Sequence, residues 1–171
     1  PRHPEAAGQR RQSLIQNIDV PETLLHFFGL EPTKDMQGFD LEQTLAQDIP
    51  VRKYALFGLH GGQINITDGR YVYMRDPLPG NTPIYNYTAL VPGFSFTKGV
   101  PLLRTNASED FSGDTTIKFS LGTKLYDLST DPHQNTPIQD SQTERRLIQA
   151  MLKLMQENDA PQEQYQRMGL D

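Results

Sequence analysis

Gln63-Ile64-Asn65-Ile66-Thr67-Asp68-Gly69-Arg70-Tyr71-Val72-Tyr73-Met74-Arg75 is the stretch that decides the fold. Ile64 and Ile66 alternate with polar neighbours, as in a strand with one buried face. Tyr71 to Met74 is made of residue types that suit a pleated surface. Between them stands Asp68-Gly69, a preferred two-residue hairpin turn because both central positions need positive φ. The pattern predicts an antiparallel hairpin of 63–67 and 70–75 turning at Asp68-Gly69.

Working outward, Tyr54-Ala55-Leu56-Phe57 is a candidate strand before the hairpin, and Lys124-Leu125-Tyr126-Asp127-Leu128 one after it, closed by Asp131-Pro132. Thr115 to Leu121 alternates as well. Residues 76 to 114 carry Pro77, Pro79, Pro83, Pro92 and Pro101 and read as a functional or domain-covering loop rather than a regular sheet. Two helices flank this region. In the first, Asp19 is the expected N-cap with Glu22 at capping-box spacing. Val20, Leu24, Phe27 and Phe28 fall on one face, and Gly29 ends the helix. A short amphipathic turn runs through Leu45. In the last long helix, Ser141 and Glu144 form a second capping box, and Leu147, Ile148, Met151, Leu154 and Met155 make an apolar stripe before Pro161. The class is α+β: a small antiparallel sheet packed by a C-terminal helix.

With 171 residues there is room for one domain with a core. A net charge of −5 and the lack of a basic cluster argue against nucleic acid. Absence of Cys removes disulfides and thiol chemistry. No apolar run suits a membrane span, and Pro1-Arg2-His3-Pro4 is no signal peptide. With no initiator Met, the chain reads as a fragment or processed product. The composition is that of a soluble protein, of unknown compartment.

Chemistry-bearing patterns are sparse. His3, His26, His60 and His133 are scattered without metal-ligand spacing, so no metal site is expected, and His26 reads as a helix-surface or packing residue. Gly58, Gly61 and Gly62 are read first as a tight turn, and alternatively as a loop that brings His60 to a ligand. Gly-x-Ser-x-Gly is absent, so a hydrolase built on Ser95 or Ser112 has no motif behind it. Three glycosylation sequons, at Asn65, Asn86 and Asn106, are weak, and Asn65 falls inside a strand. Tyr85, Tyr87 and Phe94 on one face would favour a free-standing carbohydrate-binding module.

Four landmarks in order resemble the sulfatase family of the alkaline-phosphatase-like superfamily. Asp19-Val20-Pro21-Glu22-Thr23-Leu24-Leu25 looks like its Asp-x-x-Pro-Thr-Leu-Leu helix, with Pro21 one position early. Gly38-Phe39-Asp40-Leu41 is similar to its Gly-x-Ser-Leu turn, with Asp40 for Ser. Thr67 to Tyr73 looks like its Asp-Gly-Arg-Tyr hairpin. Leu125 to Pro132 resembles Leu-Tyr-Asp-Leu-x-x-Asp-Pro. The resemblance covers about residues 1 to 157. It implies that 1–49 is the last helical segment of a large α/β domain and 50–171 a C-terminal subdomain.

The family's Cys/Ser-x-Pro-Ser-Arg motif, the source of formylglycine, and its calcium-binding carboxylates do not occur here. Calcium and formylglycine are expected in a missing N-terminal half, which would be this chain's partner. The resemblance implies a scaffolding role and one wall of a substrate cleft, with His60, Gln63, Asn65 and Arg104 as candidate residues and no catalytic or metal-binding residue. An exposed apolar patch around Leu24 and Phe28 is expected, which self-association could cover.

Overall fold

The computed structural model describes residues 3–88, 103–106 and 121–171, and at 86–88 and 103–106 the backbone alone. Strands β1 (Ala55–Gly58), β2 (Ile64–Thr67), β3 (Tyr71–Arg75) and β6 (Lys124–Asp127) form an antiparallel sheet in the order β1-β2-β3-β6. Strands β4 (Tyr85–Thr88) and β5 (Leu103–Asn106) make a separate antiparallel pair. The proline-rich stretch therefore contains a ladder that its punctuation hides. Of the other alternating run, residues 115–120 lie outside the described residues. A short 3-10 turn (Pro4–Ala6) and four α-helices complete the described chain: α1 (Asp19–Phe27), α2 (Glu42–Gln47), α3 (Ser141–Glu157) and α4 (Gln162–Met168).

The register explains the core. Leu56, Ile66, Tyr73 and Leu125 pair in one row across the four strands, so their side chains share a face. Against that face the α3 stripe buries Leu147, Met151 and Met155. Ile66, Leu147 and Met151 are wholly buried, and each such side chain contributes about 1.5–3 kcal/mol relative to exposure. The next row, Ala55, Thr67, Val72 and Tyr126, points the other way, and Ala55, Val72 and Tyr126 are buried there too. Ile66→Val removes one methylene beneath α3 and is expected to cost about 0.5–1.5 kcal/mol in urea unfolding. A variant as stable as the parent would contradict this packing.

Three local expectations shift. The hairpin turns one residue later than expected. Thr67 pairs with Val72, the Asp68 N–H donates to the Tyr71 carbonyl (3.3 Å), and Gly69 and Arg70 are the central pair. Gly69 alone has positive φ, 89°. Asp68 instead accepts from the Arg70 and Tyr71 amides through Oδ1 and pairs with Arg146 of α3 through Oδ2 at 2.8 Å. At α3 the cap is Asp140, not Ser141; its Oδ1 accepts from the Gln142 and Thr143 amides. Asp19 is the first residue inside α1 rather than its cap.

Asp19 is wholly buried. Arg52 engages both its oxygens, and the Gln16 and Phe39 amides donate to it at 2.7 and 3.0 Å. Burial pushes this carboxyl up, but Arg52 and the two amides outweigh it and hold it below its ordinary value. Gly38 permits the arrangement, because a Cβ there would stand 2.0 Å from the Ile18 carbonyl oxygen. A second cross-chain clamp joins Arg70 to Asp127, with the guanidinium NH2 2.8 Å from Oδ2. Arg70 first, then Ser129, hold the Asp127 carboxyl far below its ordinary value.

Candidate functional site

Between β1 and β2 the chain turns through Leu59 to Gln63 and opens a cleft of about 270 Å³. His60, Gln63, Gln164 and Arg167 line it beside apolar Leu56, Phe57, Leu59 and Ile64. The glycines shape this loop. A Cβ on Gly58 would sit 2.4 Å from the Gln63 carbonyl oxygen, and Gly61 has φ 73°. The Gly62 N–H closes the turn on the Leu59 carbonyl at 2.9 Å. These glycines therefore make a tight turn, and the turn places an exposed His60 at the cleft.

Helix α4 holds the loop. Arg167 NH1 donates to the Gly62 carbonyl and to Asn81 Oδ1, both at 2.9 Å, and NH2 donates to Gln164 Oε1 at 2.7 Å. Asn81 Nδ2 in turn donates to the Gly61 carbonyl at 2.7 Å. Arg167 is 2% exposed, its Nε is buried without a hydrogen-bond partner, and burial lowers its pKa. From β3, Arg75 anchors the end of α4 through the Met168 and Gly169 carbonyls at 2.6 and 2.9 Å. Sequence reading missed Arg167. Nothing in the polar run Gln162 to Arg167 marks it as a buried clamp.

Of the four candidate wall residues, the fold brings His60 and Gln63 into one cleft. Gln63 also donates through Nε2 to the Gly122 carbonyl at 2.9 Å, which ties the cleft to the segment entering β6. Asn65 sits in β2, 8% exposed, with a buried Oδ1 that lacks a hydrogen-bond partner. Arg104 lies in β5 opposite Tyr87 of β4, in the two-stranded pair rather than in the four-stranded sheet. Phe94, Ser95 and Ser112 fall outside the described residues. The cleft offers an imidazole, two side-chain amides and an apolar floor. Such a surface can orient a polar ligand, and it has no activated nucleophile beside a base among its lining residues.

The histidines are less scattered in space than in sequence. His26 lies beside Asp40 and Glu42, and one ligand-type atom from each falls within 4.8 Å of the others. The set supplies one imidazole and two carboxylates, which is unlike the six to eight oxygens of a calcium shell. Among the described residues no helix is long and apolar enough to cross a membrane. The expected apolar patch is present on α1 and just after it, where Leu24 is 52% and Phe28 71% exposed.

No family model and no curated protein matches this chain. Its fold is similar to a solved structure described as BT4656 in complex with its substrate D-glucosamine-2-N,6-O-disulfate, with a TM-score of 0.51 and 16% identity. The match covers 85% of this chain and 24% of that one, so this chain spans about a quarter of its neighbour's length. At that identity the likeness is one of fold.

Proposed function

We propose that this chain is the C-terminal portion of a sulfuric ester hydrolase of the alkaline-phosphatase-like type. In this reading it scaffolds the enzyme and supplies one wall of a cleft for a sulfated sugar. The observation that carries the reading is the fold likeness to part of a protein solved with a disulfated glucosamine substrate. The bonding of the four sequence landmarks supports it. Arg70 of the Asp-Gly-Arg-Tyr stretch grips Asp127 of the Leu-Tyr-Asp-Leu stretch, and Asp19 of the first helix accepts from the Phe39 amide of the Gly-x-x-Leu turn. These residues hold elements together, which is a scaffold's work.

His60 and Gln63 are the wall residues of this proposal, positioned by Arg167. Asn65, buried in β2, supports the strand behind them, and Arg104 remains a weaker candidate on the β4–β5 pair. Sulfate-ester cleavage needs a nucleophile and a cation to stabilise charge on the sulfate oxygens. Formylglycine and calcium would supply both from the partner portion, and this chain's residues would bind and orient the sugar.

Two measurements test this. The chain alone, given calcium and an aryl sulfate, is expected to show no turnover; measurable turnover would defeat the proposal. In the chain joined to its catalytic half, His60→Ala is expected to lower kcat/KM for a sulfated glucosamine by about 10-fold or more, since each 1.4 kcal/mol of lost binding is tenfold. Hydrolysis of a small aryl sulfate should change little. Equal loss on both substrates would remove His60 from the sugar wall.

A further inference from the structure

Arg167 is a buried cation that no carboxylate of the described residues pairs with. It lines the cleft with His60, Gln63 and Gln164. Its three bonds all go to neutral oxygens: the Gly62 carbonyl and Asn81 Oδ1 from NH1, and Gln164 Oε1 from NH2. No ion pair or further bond reaches it from the described residues. Glu163, one turn earlier on α4, is buried as well but is not among its partners. Burial alone moves the guanidinium's pKa, and moves it down, so no carboxylate stands close enough to raise it.

The Nε–NH2 edge of a guanidinium is one on which an oxyanion accepts two bonds side by side. Arg70 shows that geometry in this same fold. Its Nε donates to both Asp127 oxygens at 3.2 Å, and its NH2 to Oδ2 at 2.8 Å. On Arg167 the corresponding edge has one neutral acceptor on NH2 and none on Nε, which is shut off from solvent. Pinning the Leu59–Gln63 loop takes NH1 alone, so it gives no account of this edge. An unused N–H in the interior is costly, and on a charged, planar fork the matching acceptor is an oxyanion.

We infer that the cleft binds a sulfate-type oxyanion on the Nε–NH2 edge of Arg167, with Gln164 as the side chain that the anion displaces. Gln164 is half-buried, lines the same cleft and holds NH2 only, so its swing opens the edge. His60 and Gln63 supply further N–H donors along the lining. Free sulfate and a sulfate carried by a sugar share this chemistry. For the sugar, the inference rests on the hydrolase reading of the cleft; for the anion, it does not. Within that reading the cleft holds a sulfate other than the one cleaved, because no activated nucleophile stands beside a base in its lining.

The test follows the Arg167 Nε–H and the Gln164 side-chain amide by two-dimensional NMR of the isotopically labelled chain at constant ionic strength. Sodium sulfate and a sulfated glucosamine are each titrated, with sodium chloride as the control. Both sulfates are expected to shift the two signals saturably, and chloride to leave them in place. Gln164→Glu sets the chain's own carboxylate on the edge and should weaken sulfate by roughly 10-fold or more, because juxtaposed like charges are strongly unfavourable. Gln164→Ala removes the displaced side chain without adding charge, and should bind sulfate at least as tightly as the parent. Neither variant disturbs the NH1 bonds that pin the loop, and circular dichroism checks that both fold. Tighter binding of the sulfated sugar than of free sulfate assigns the anion to the sugar. Equal binding upholds the oxyanion site and removes the sugar from it. The inference is overturned if sulfate moves neither signal, if chloride moves both as far, or if folded Gln164→Glu takes up sulfate undiminished. Those results leave the kcat/KM test of His60→Ala untouched, so the hydrolase reading stands or falls separately.

Discussion

Arg52→Met is expected to destabilise the chain by about 3–5 kcal/mol at neutral pH, measured as the loss of unfolding free energy in urea, because it strands the Asp19 carboxylate in the interior. Asp19 is wholly buried, and Arg52 is its one cationic hydrogen-bond partner among the described residues. The Gln16 and Phe39 amides remain in the variant, but two neutral donors do not replace a bidentate guanidinium. The sign of the pH dependence follows from the lowered carboxyl. A group whose folded pKa lies below its unfolded value of about 3.9 stabilises fully above that value and ceases to as pH falls through the folded pKa. Parent and variant should therefore differ most near pH 7 and converge in acid. The double variant Asp19→Asn/Arg52→Met should lose less than the sum of the two single changes, since neither charge is left alone. A constant difference from pH 7 to pH 3, or strict additivity, would dismiss this pair as the clamp on α1.

The same pair shows where sequence legibility ends. The start of α1 was readable from the capping-box spacing of Asp19 and Glu22, although Asp19 stands inside the first turn and does not cap it. The actual partner of Asp19 was not, because Arg52 lies 33 residues away and no local spacing links them. The hairpin was readable because the alternation of Ile64 and Ile66 is local, and it placed the Leu56–Ile66–Tyr73–Leu125 row on one face. Its turn slipped by one residue because Asp68 uses its side chain to cap two amides instead of occupying a positive-φ position. The α3 stripe was legible for the same local reason, through its 3.6-residue period. His60 and Gln63 were legible as neighbours of a glycine turn. The groups that fix that turn come from Asn81 and α4, and His26, Asp40 and Glu42 meet only after α1 and the 40–42 segment fold together.

Arg167→Met is the sharper test of the His60 cleft. Met keeps most of the side-chain volume, so packing changes little, but three acceptors lose their donor: the Gly62 carbonyl, Asn81 Oδ1 and Gln164 Oε1. Water can reach Gln164, and the buried Gly62 carbonyl has no such recourse. Each stranded buried acceptor costs about 1–3 kcal/mol. Relief from burying a cation among neutral acceptors offsets part of this, as the lowered pKa of Arg167 indicates. The net loss is expected at about 2–4 kcal/mol, with Arg167→Lys no better, because one ammonium cannot serve three acceptors in a planar fork. The loss should also be local. Hydrogen exchange at Gly61, Gly62 and Gln63 should quicken more than in the Ile66 and Leu147 core, since the clamp acts on the loop rather than the sheet. If exchange rises evenly through loop and core, Arg167 is merely a packing residue. His60 would then be held by the turn's own glycines, and α4 would have no part in shaping the cleft.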